Sequence, residues 1–322
     1  MKILVTGAAG FIGSHLAERL AGLGHETVGL DNFADYYPVA LKRINAGDVE
    51  RAGVPIRSLD LAWDGLGPVL EGAEAIFHLA AQPGISADTP FEAYLRNNLV
   101  ATHRLAEAAR GLKSLRAFVN VSTSSVYGAH ATDSEETPPK PTSFYGVTKL
   151  GAEQLVLALS REGRLPACSL RLFSVYGERE RPEKLFPRLV HSLLADEPFP
   201  LYEGSETHSR SFTYIADAID GFVAVLDRIE ACRGEILNIG SDEEFTTGEA
   251  IRIVEEILGR KARFARRTPR PGDQLRTRAN IDKARRILGY RPVRTLRQGL
   301  EAEVAWYRDR IFGKVQGIYR AS

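Results

Sequence analysis

Tyr145 and Lys149 stand four residues apart at the head of a helical pattern, Tyr145–Arg161. Side chains at that spacing share one face of a helix, so a phenol and an ammonium point the same way. A cation beside a phenol stabilises the phenolate and lowers its pKa from about 10. That would make Tyr145 a general base near neutrality. A YxxxK pattern alone also occurs on exposed helices, so its neighbours decide. Upstream runs Ser122-Thr123-Ser124-Ser125-Val126-Tyr127-Gly128, four hydroxyls just past an apolar run. At the carboxyl end of a strand in an open α/β sheet they are placed to hold a sugar; standing alone they would read as a turn. Asn120-Val121-Ser122 matches a glycosylation triplet, but it falls in a run that reads as a buried strand.

A second constellation binds rather than reacts. Thr6-Gly7-Ala8-Ala9-Gly10-Phe11-Ile12-Gly13 follows an apolar run and opens a helical one. Glycines at this spacing allow a tight turn, close approach of backbone to a pyrophosphate, and close helix–strand packing. The helix start offers free N–H groups and a positive dipole end to phosphates. Asp31 closes the second apolar run, 18 residues after Gly13. An acid there suits the two hydroxyls of an adenosine ribose and repels a 2′-phosphate, and no Lys or Arg follows until Lys42. The pattern favours NAD over NADP.

These residues need a scaffold, and the chain supplies one. Short apolar runs occur at Lys2–Thr6, Glu26–Leu30, Pro55–Leu59, Ala75–Leu79, Ala117–Val121 and Ala167–Phe173. Helical patterns lie between most of them, at Phe11–Leu23, Phe91–Arg110 and Tyr145–Arg161. Alternation of this kind predicts parallel strands, right-handed crossovers and helices on both faces. Beyond a Pro/Glu/Arg cluster at Glu178–Pro187, helices return at Ile215–Ile229, Thr247–Leu258, Ile281–Leu288 and Thr295–Ile311, with one strand at Glu235–Ile239. No linker or repeat is visible, which predicts a second, smaller domain interleaved with the first.

Composition narrows the class. The 322 residues are 44 % hydrophobic and 26 % charged, with a formal charge of +1. That is a soluble globular chain with no general attraction to nucleic acid or membrane surfaces. Cys168 and Cys232 allow one disulfide at most, and neither lies in a CxxC. The seven histidines form no HExxH. No metal site is expected, no apolar run approaches the roughly 18 residues of a membrane span, and the cytoplasm is the expected compartment.

Glycine loop, Asp31, His78-Leu79-Ala80-Ala81, the hydroxyl run, YxxxK and Arg171-Leu172-Phe173-Ser174-Val175-Tyr176-Gly177 occur in one order. Together they resemble the extended short-chain dehydrogenase/reductases of the NAD-dependent sugar-nucleotide epimerase/dehydratase kind. The resemblance runs through Ala279-Asn280-Ile281-Asp282-Lys283-Ala284 and Leu288-Gly289-Tyr290. It implies an α/β, Rossmann-type doubly wound sheet, with residues 1–172 plus about 211–239 binding NAD and about 173–210 plus 240–322 binding the sugar nucleotide. It implies that Thr123, Tyr145 and Lys149 are catalytic. Gly7, Gly10, Phe11, Ile12, Gly13, Asp31, Asn32, Asp60, Leu61, Leu79, Ala80, Ala81, Asn98, Ser122, Phe173 and Val175 would join Tyr145 and Lys149 around NAD.

Within the family, 4,6-dehydratases resemble Thr-Asp-Glu at positions 123–125, and decarboxylating members keep Glu at 125. Here Ser124 and Ser125 carry no carboxylate, which leaves reversible oxidation at C4, a 4-epimerase. The STSSVYG run, Ser174 and Arg181-Pro182 look most like UDP-glucuronate 4-epimerases, with Thr123, Ser124, Ser125, Ser174 and Arg181 around the sugar and its carboxylate. A guanidinium with several hydroxyls is a strong carboxylate site, whereas a hexose CH2OH needs no cation. Arg210 and Arg270 would clamp the pyrophosphate, Asp273 would join the substrate-binding residues, and Phe186 and Tyr202 are candidates for the uracil. Two departures weigh against the uronate: Gly84-Ile85-Ser86 stands where Gly-Val-Arg is usual, and Pro182-Glu183-Lys184 where Pro-Asp-Met is. A UDP-glucose/UDP-galactose 4-epimerase is the alternative enzyme, and a catalytically silent NAD-binding protein the alternative class. The family's habit of pairing implies a homodimer through the Phe91–Arg110 and Tyr145–Arg161 helices.

Overall fold

The computed structural model describes residues 1–84, 89–268, 274–315 and 318. Its centre is a seven-stranded sheet. The strands are β1 (Lys2–Thr6), β2 (Glu26–Asp31), β3 (Ile56–Ser58), β4 (Ala75–His78), β5 (Ala117–Thr123), β6 (Ala167–Leu172) and β7 (Ile236–Ile239). Their order across the sheet is β7-β6-β5-β4-β1-β2-β3, and every pair is parallel. Every residue of β5 and of β6 is buried, as expected for parallel strands covered on both faces.

Alternation along the strands feeds two cores. Ile3, Val5, Phe77 and Val119 face one side, with Leu16 and Leu20 of helix α1 (Phe11–Gly22). Leu4, Ile76 and Phe118 face the other. There they meet Leu105 of α3, a helix running as Phe91–Tyr94, a π-helical stretch Leu95–Val100 and Ala101–Ala109, and Val156 of α4 (Phe144–Arg161). The chain order reverses between β1 and β4, and the crevice beyond the carboxyl ends of the strands at that point is where doubly wound sheets bind ligands.

A third core forms apart from the sheet. Leu189 and Val190 of α5 (Leu185–Ala195), Val254 of α7 (Thr247–Leu258) and Leu300 and Val304 of α8 (Leu296–Arg310) build it. Both α7 and α8 open on capping boxes, Thr246 with Glu249 and Thr295 with Gln298, which satisfy backbone donors that no helical carbonyl can reach. Helix α6 (Ile215–Asp227) and β7 bring the chain back to the sheet between these segments.

Among the described residues, two helices of more than ten residues have no counterpart among the sequence patterns. Helix α2 (Val39–Arg51) buries Lys42 and Asn45 beside Leu41, Ala46 and Val49, and polar residues on the inner face break the apolar period. Helix α5 carries Pro187 in its first turn, where the missing N–H has no helical partner to lose. Among the described residues, no helix is long and apolar enough to cross a membrane.

Candidate active site

The glycine turn is shaped so that only glycine fits. Gly7 sits at φ +72°, and a Cβ on Gly13 would lie 2.1 Å from the Gly7 carbonyl oxygen. Helix α1 begins at Gly10 with no side-chain cap, so its first N–H groups face the crevice as an anion site. Asp31, at the end of β2, accepts the Ala9 N–H at 3.0 Å and the Phe33 N–H at 2.8 Å. The bonds hold one carboxylate against the turn and leave lone pairs for a diol. Lys42 carries its charge near Asp31 and lies over the Tyr37 ring at 5.0 Å, with burial lowering its pKa. The tertiary structure therefore brings to Asp31 a cation that the linear order keeps distant.

Asp60 lies at the next strand end and accepts from Asn32 at 3.1 Å, Arg96 at 2.7 Å and the Ala62 N–H at 2.8 Å. Burial pushes its pKa up, but these hydrogen bonds bring it to a net lowering. Leu61 is buried beneath it. Leu79, Ala80 and Ala81 are partly exposed along the crevice wall, as are Gly10 and Ile12 across it. The Leu79 and Ala80 N–H groups donate to Thr6 at 3.1 and 3.0 Å.

Tyr145 and Lys149 project from the first turns of α4. Ser143 caps that helix by accepting the Gly146 N–H at 3.1 Å, and a Cβ on Gly146 would press to 2.8 Å from the Ser125 carbonyl oxygen. The hydroxyl turn and the Tyr–Lys helix thus touch backbone to backbone. Thr123 is bonded to the Tyr145 hydroxyl and accepts the Ser125 N–H at 3.1 Å. Ser124 and Ser125 are buried beside it.

The electrostatics correct one expectation. Burial raises the Tyr145 pKa; the Thr123 hydrogen bond and the Arg181 charge pull it down, and Tyr94 opposes them. The net direction in the protein alone is upward, not the lowering expected from Lys149. Lys149 itself is buried, and desolvation lowers it to about 8 against the upward pull of Glu153. Glu153 is fully buried and bound by Arg171 through both carboxylate oxygens, at 3.0 and 2.6 Å. His78, pushed down to about 3 by burial and by Lys149, stays neutral between Thr6 and Thr102.

The loop after β6 carries the substrate candidates. Ser174 is held at φ +35°, and Arg179 at φ +70°; such backbone is strained for a side chain and collects at binding sites. Arg181 returns from this loop to Tyr145. Its side chain is 14 % exposed, paired with Glu183 at 2.8 Å and placed over the Tyr36 ring at 5.6 Å. Arg210 is partly buried, donates to the Ser209 carbonyl at 3.1 Å and lies near Lys184. Tyr202 and Val175 are partly exposed. Arg270 and Asp273, and the departure at Ser86, lie outside the described residues.

Two sequence assignments change. Phe186 is 1 % exposed, its ring packed 5.2 Å from Tyr176 and 5.0 Å from Phe212, so it is core and not a base platform. The Phe173 ring is fully buried under Gly240, and its carbonyl is taken by Thr213 at 2.7 Å. Asn98 is fully buried. It accepts the Gln82 N–H at 2.7 Å and donates to the Gln82 carbonyl and to Thr148, tying segment 79–82 to α4. Ser122 is buried within β5 with its hydroxyl unpaired. Tyr36, Lys42, Tyr94 and Gln274 went unrecognised in the sequence. The signal for the first was the aromatic pair Tyr36-Tyr37 shortly after Asp31. Gln274 reaches the Ser124 and Gly128 carbonyls from a position 150 residues beyond Ser124, where no local pattern could mark it.

A parallel sheet with a glycine turn and acid at one strand end, and a Thr–Tyr–Lys set at another, defines a nucleotide-cofactor enzyme of the dehydrogenase/reductase type. The NAD dependent epimerase/dehydratase family matches residues 3–240, and the chain belongs to it. It is 41 % identical over 312 residues to YtcB of Bacillus subtilis, named as an uncharacterized UDP-glucose epimerase, covering 95 % of this chain and 98 % of that one. It is 33 % identical to UDP-glucuronate 4-epimerase 4 of Arabidopsis thaliana over 95 % of this chain and 75 % of that protein. The crystal structure of the Bacillus cereus UDP-glucuronic acid 4-epimerase, in complex with UDP-glucuronic acid and NAD, superposes with a TM-score of 0.92. It is 39 % identical over 96 % of this chain and 99 % of that one.

Proposed function

We propose that the chain is an NAD-dependent 4-epimerase of UDP-sugars and that its substrate is UDP-glucuronate, converted to UDP-galacturonate. The observation that carries the sugar assignment is Arg181: a largely buried guanidinium whose charge acts on Tyr145. A cation beside the reacting phenol has a use when the sugar bears a carboxylate. Ser124, Ser125 and Ser174 would add hydroxyls to the carboxylate site.

NAD, when bound, supplies the hydride acceptor and donor for C4. Gly7, Gly10, Phe11, Ile12, Gly13, Asp31, Asn32, Asp60 and Leu61 hold its adenosine and phosphates, and Leu79, Ala80, Ala81, Val175 and Lys149 flank its other half. Thr123 orients the C4 hydroxyl. Tyr145 takes that proton as the 4-keto sugar forms and returns it after the sugar has turned. Arg210, with Arg270, Asp273 and Tyr202, keeps the UDP anchored through the rotation. The 4-keto uronate is a β-keto acid, and the Arg181/Ser cradle turns its carboxylate away from the alignment that would expel CO2. The cofactor lobe is residues 1–172 plus about 211–239, the substrate lobe about 173–210 plus 240–322, and catalysis occurs between them in the cytoplasm.

The purified protein, incubated without added NAD, is expected to convert UDP-glucuronate, with products resolved by chromatography. Arg181→Ala should cost about 10- to 100-fold more in kcat/KM on UDP-glucuronate than on UDP-glucose, the worth of a charged hydrogen-bonding group, because the neutral sugar loses only the charge that acts on Tyr145. Equal losses on both sugars would remove the carboxylate role. Conversion of UDP-glucose alone would favour the reading suggested by the name of the B. subtilis relative.

The active form is a homodimer through α3 and α4. Phe144 is 60 % exposed, Val147 47 % and Val100 42 %, and Phe91 extends the patch by stacking on Phe144 at 5.2 Å. An apolar face of this kind marks an interaction surface. Val100→Glu/Val147→Glu should shift the protein from dimer to monomer in light scattering; an unchanged mass would place the interface elsewhere.

A further inference from the structure

Tyr36 belongs to the segment between β2 and α2, yet it reaches the substrate loop. Its ring lies beneath the Arg181 guanidinium at 5.6 Å, and the charge of that group acts on its hydroxyl. The hydroxyl also packs against Gly84, where a Cβ would sit 3.1 Å away. Gly84 accepts the Tyr94 hydroxyl at 2.8 Å, and the Tyr94 ring is 6.3 Å from that of Tyr145. The other contact on Arg181, Glu183, is 40 % exposed and is free to yield to a ligand carboxylate.

A long arginine loses rotamer freedom when it grips a ligand, and a group that holds it beforehand removes that cost from binding. A ring face under the guanidinium and a hydroxyl at its edge do this without neutralising its charge. We infer that Tyr36 is the positioning residue for Arg181, and that it thereby sets the preference for a nucleotide sugar bearing a carboxylate over its neutral counterpart. The inference rests on the uronate reading of Arg181. It goes further in assigning selectivity to a residue of the cofactor lobe, five positions after Asp31. Because Tyr36 acts through Arg181, its loss belongs in KM for the uronate and not in kcat. Removing both residues should then cost no more than removing Arg181 alone.

The test compares Tyr36→Phe, Tyr36→Leu, Arg181→Ala and the Tyr36→Leu/Arg181→Ala double variant, each with the NAD it retains on purification. UDP-glucuronate is the substrate; UDP-glucose is a second substrate or, where it is not turned over, a competitive inhibitor. Tyr36→Leu should raise KM for UDP-glucuronate about tenfold, and Tyr36→Phe, which keeps the ring, about threefold. The constants for UDP-glucose and the bound NAD should stay as in the parent, and the double variant should match Arg181→Ala. If Arg181→Ala is selective but the Tyr36 variants keep the parent's sugar preference, this inference alone fails. If Arg181→Ala weakens both sugars equally, the uronate reading fails and takes this one with it. Should Tyr36→Leu not fold, Tyr36→Phe decides, an unchanged KM for UDP-glucuronate overturning the inference.

Discussion

Tyr145→Phe is expected to lower turnover by about 10²- to 10⁴-fold, the usual contribution of a positioned proton acceptor, while the protein keeps its NAD. Only one oxygen is removed. It is the oxygen bonded to Thr123, and it sits where helix α4 abuts the hydroxyl turn at Gly146. Phenylalanine preserves the ring, its 6.3 Å approach to Tyr94 and the helix. The glycine turn and Asp31, which lie on other strands, are untouched. The direction of the Tyr145 pKa adds content to the prediction. Burial holds the phenol protonated, so the protein counters with Thr123 and the Arg181 charge, and both aids become useless without the oxygen. Rates on UDP-glucuronate and NAD released on denaturation check this. Turnover within tenfold of the parent would mean that another group takes the proton.

The second large effect is on stability. Glu153→Leu should destabilise the fold by about 3–5 kcal/mol, the range for breaking a buried ion pair from one side. Glu153 and Arg171 are 0 and 1 % exposed at the side chain. Arg171 donates to both Glu153 oxygens and lies over the Tyr127 ring at 4.8 Å; Ser169 adds a third donor to Glu153 at 3.3 Å. Removing the carboxylate strands a guanidinium in the sheet's interior. Glu153→Leu/Arg171→Met should recover most of the loss, because the expense lies in the orphaned charge and not in the missing pair. The denaturant midpoint reads both variants. A single variant as stable as the parent would show that water reaches Arg171. In whatever fraction folds, Lys149 loses the anion that raises its pKa, so its proton leaves below pH 8 and the alkaline limb of activity should move to lower pH.

The pair also marks where sequence reasoning stops. Glu153 and Arg171 sit 18 residues apart on different elements, and each alone reads as a surface charge. Their meeting follows from β6 packing under α4. Arg181 lay in a charged, proline-bearing run, and the family resemblance proposed a role for it; what acts on it, Tyr36 and Tyr145, comes from two other segments. Phe173 and Phe186 failed as ligand residues because an aromatic's type does not say which way it faces. Asn98 lies in the π-helical stretch from Leu95 to Val100 and bonds Gln82 and Thr148, partners that the sequence does not mark.

The sequence by itself determined what is local or periodic. The glycine turn is legible because backbone at positive φ and a 2.1 Å approach admit no side chain. The Tyr145–Lys149 face is legible because four residues make about one helical turn. The parallel sheet is legible because strands covered on both faces are apolar throughout. Only the tertiary structure decided which charges meet, which aromatics are core, and that the Tyr36 ring lies under the Arg181 guanidinium. Those outcomes depend on contacts between segments up to 262 residues apart, set by the packing of whole elements rather than by the residues adjoining each side chain.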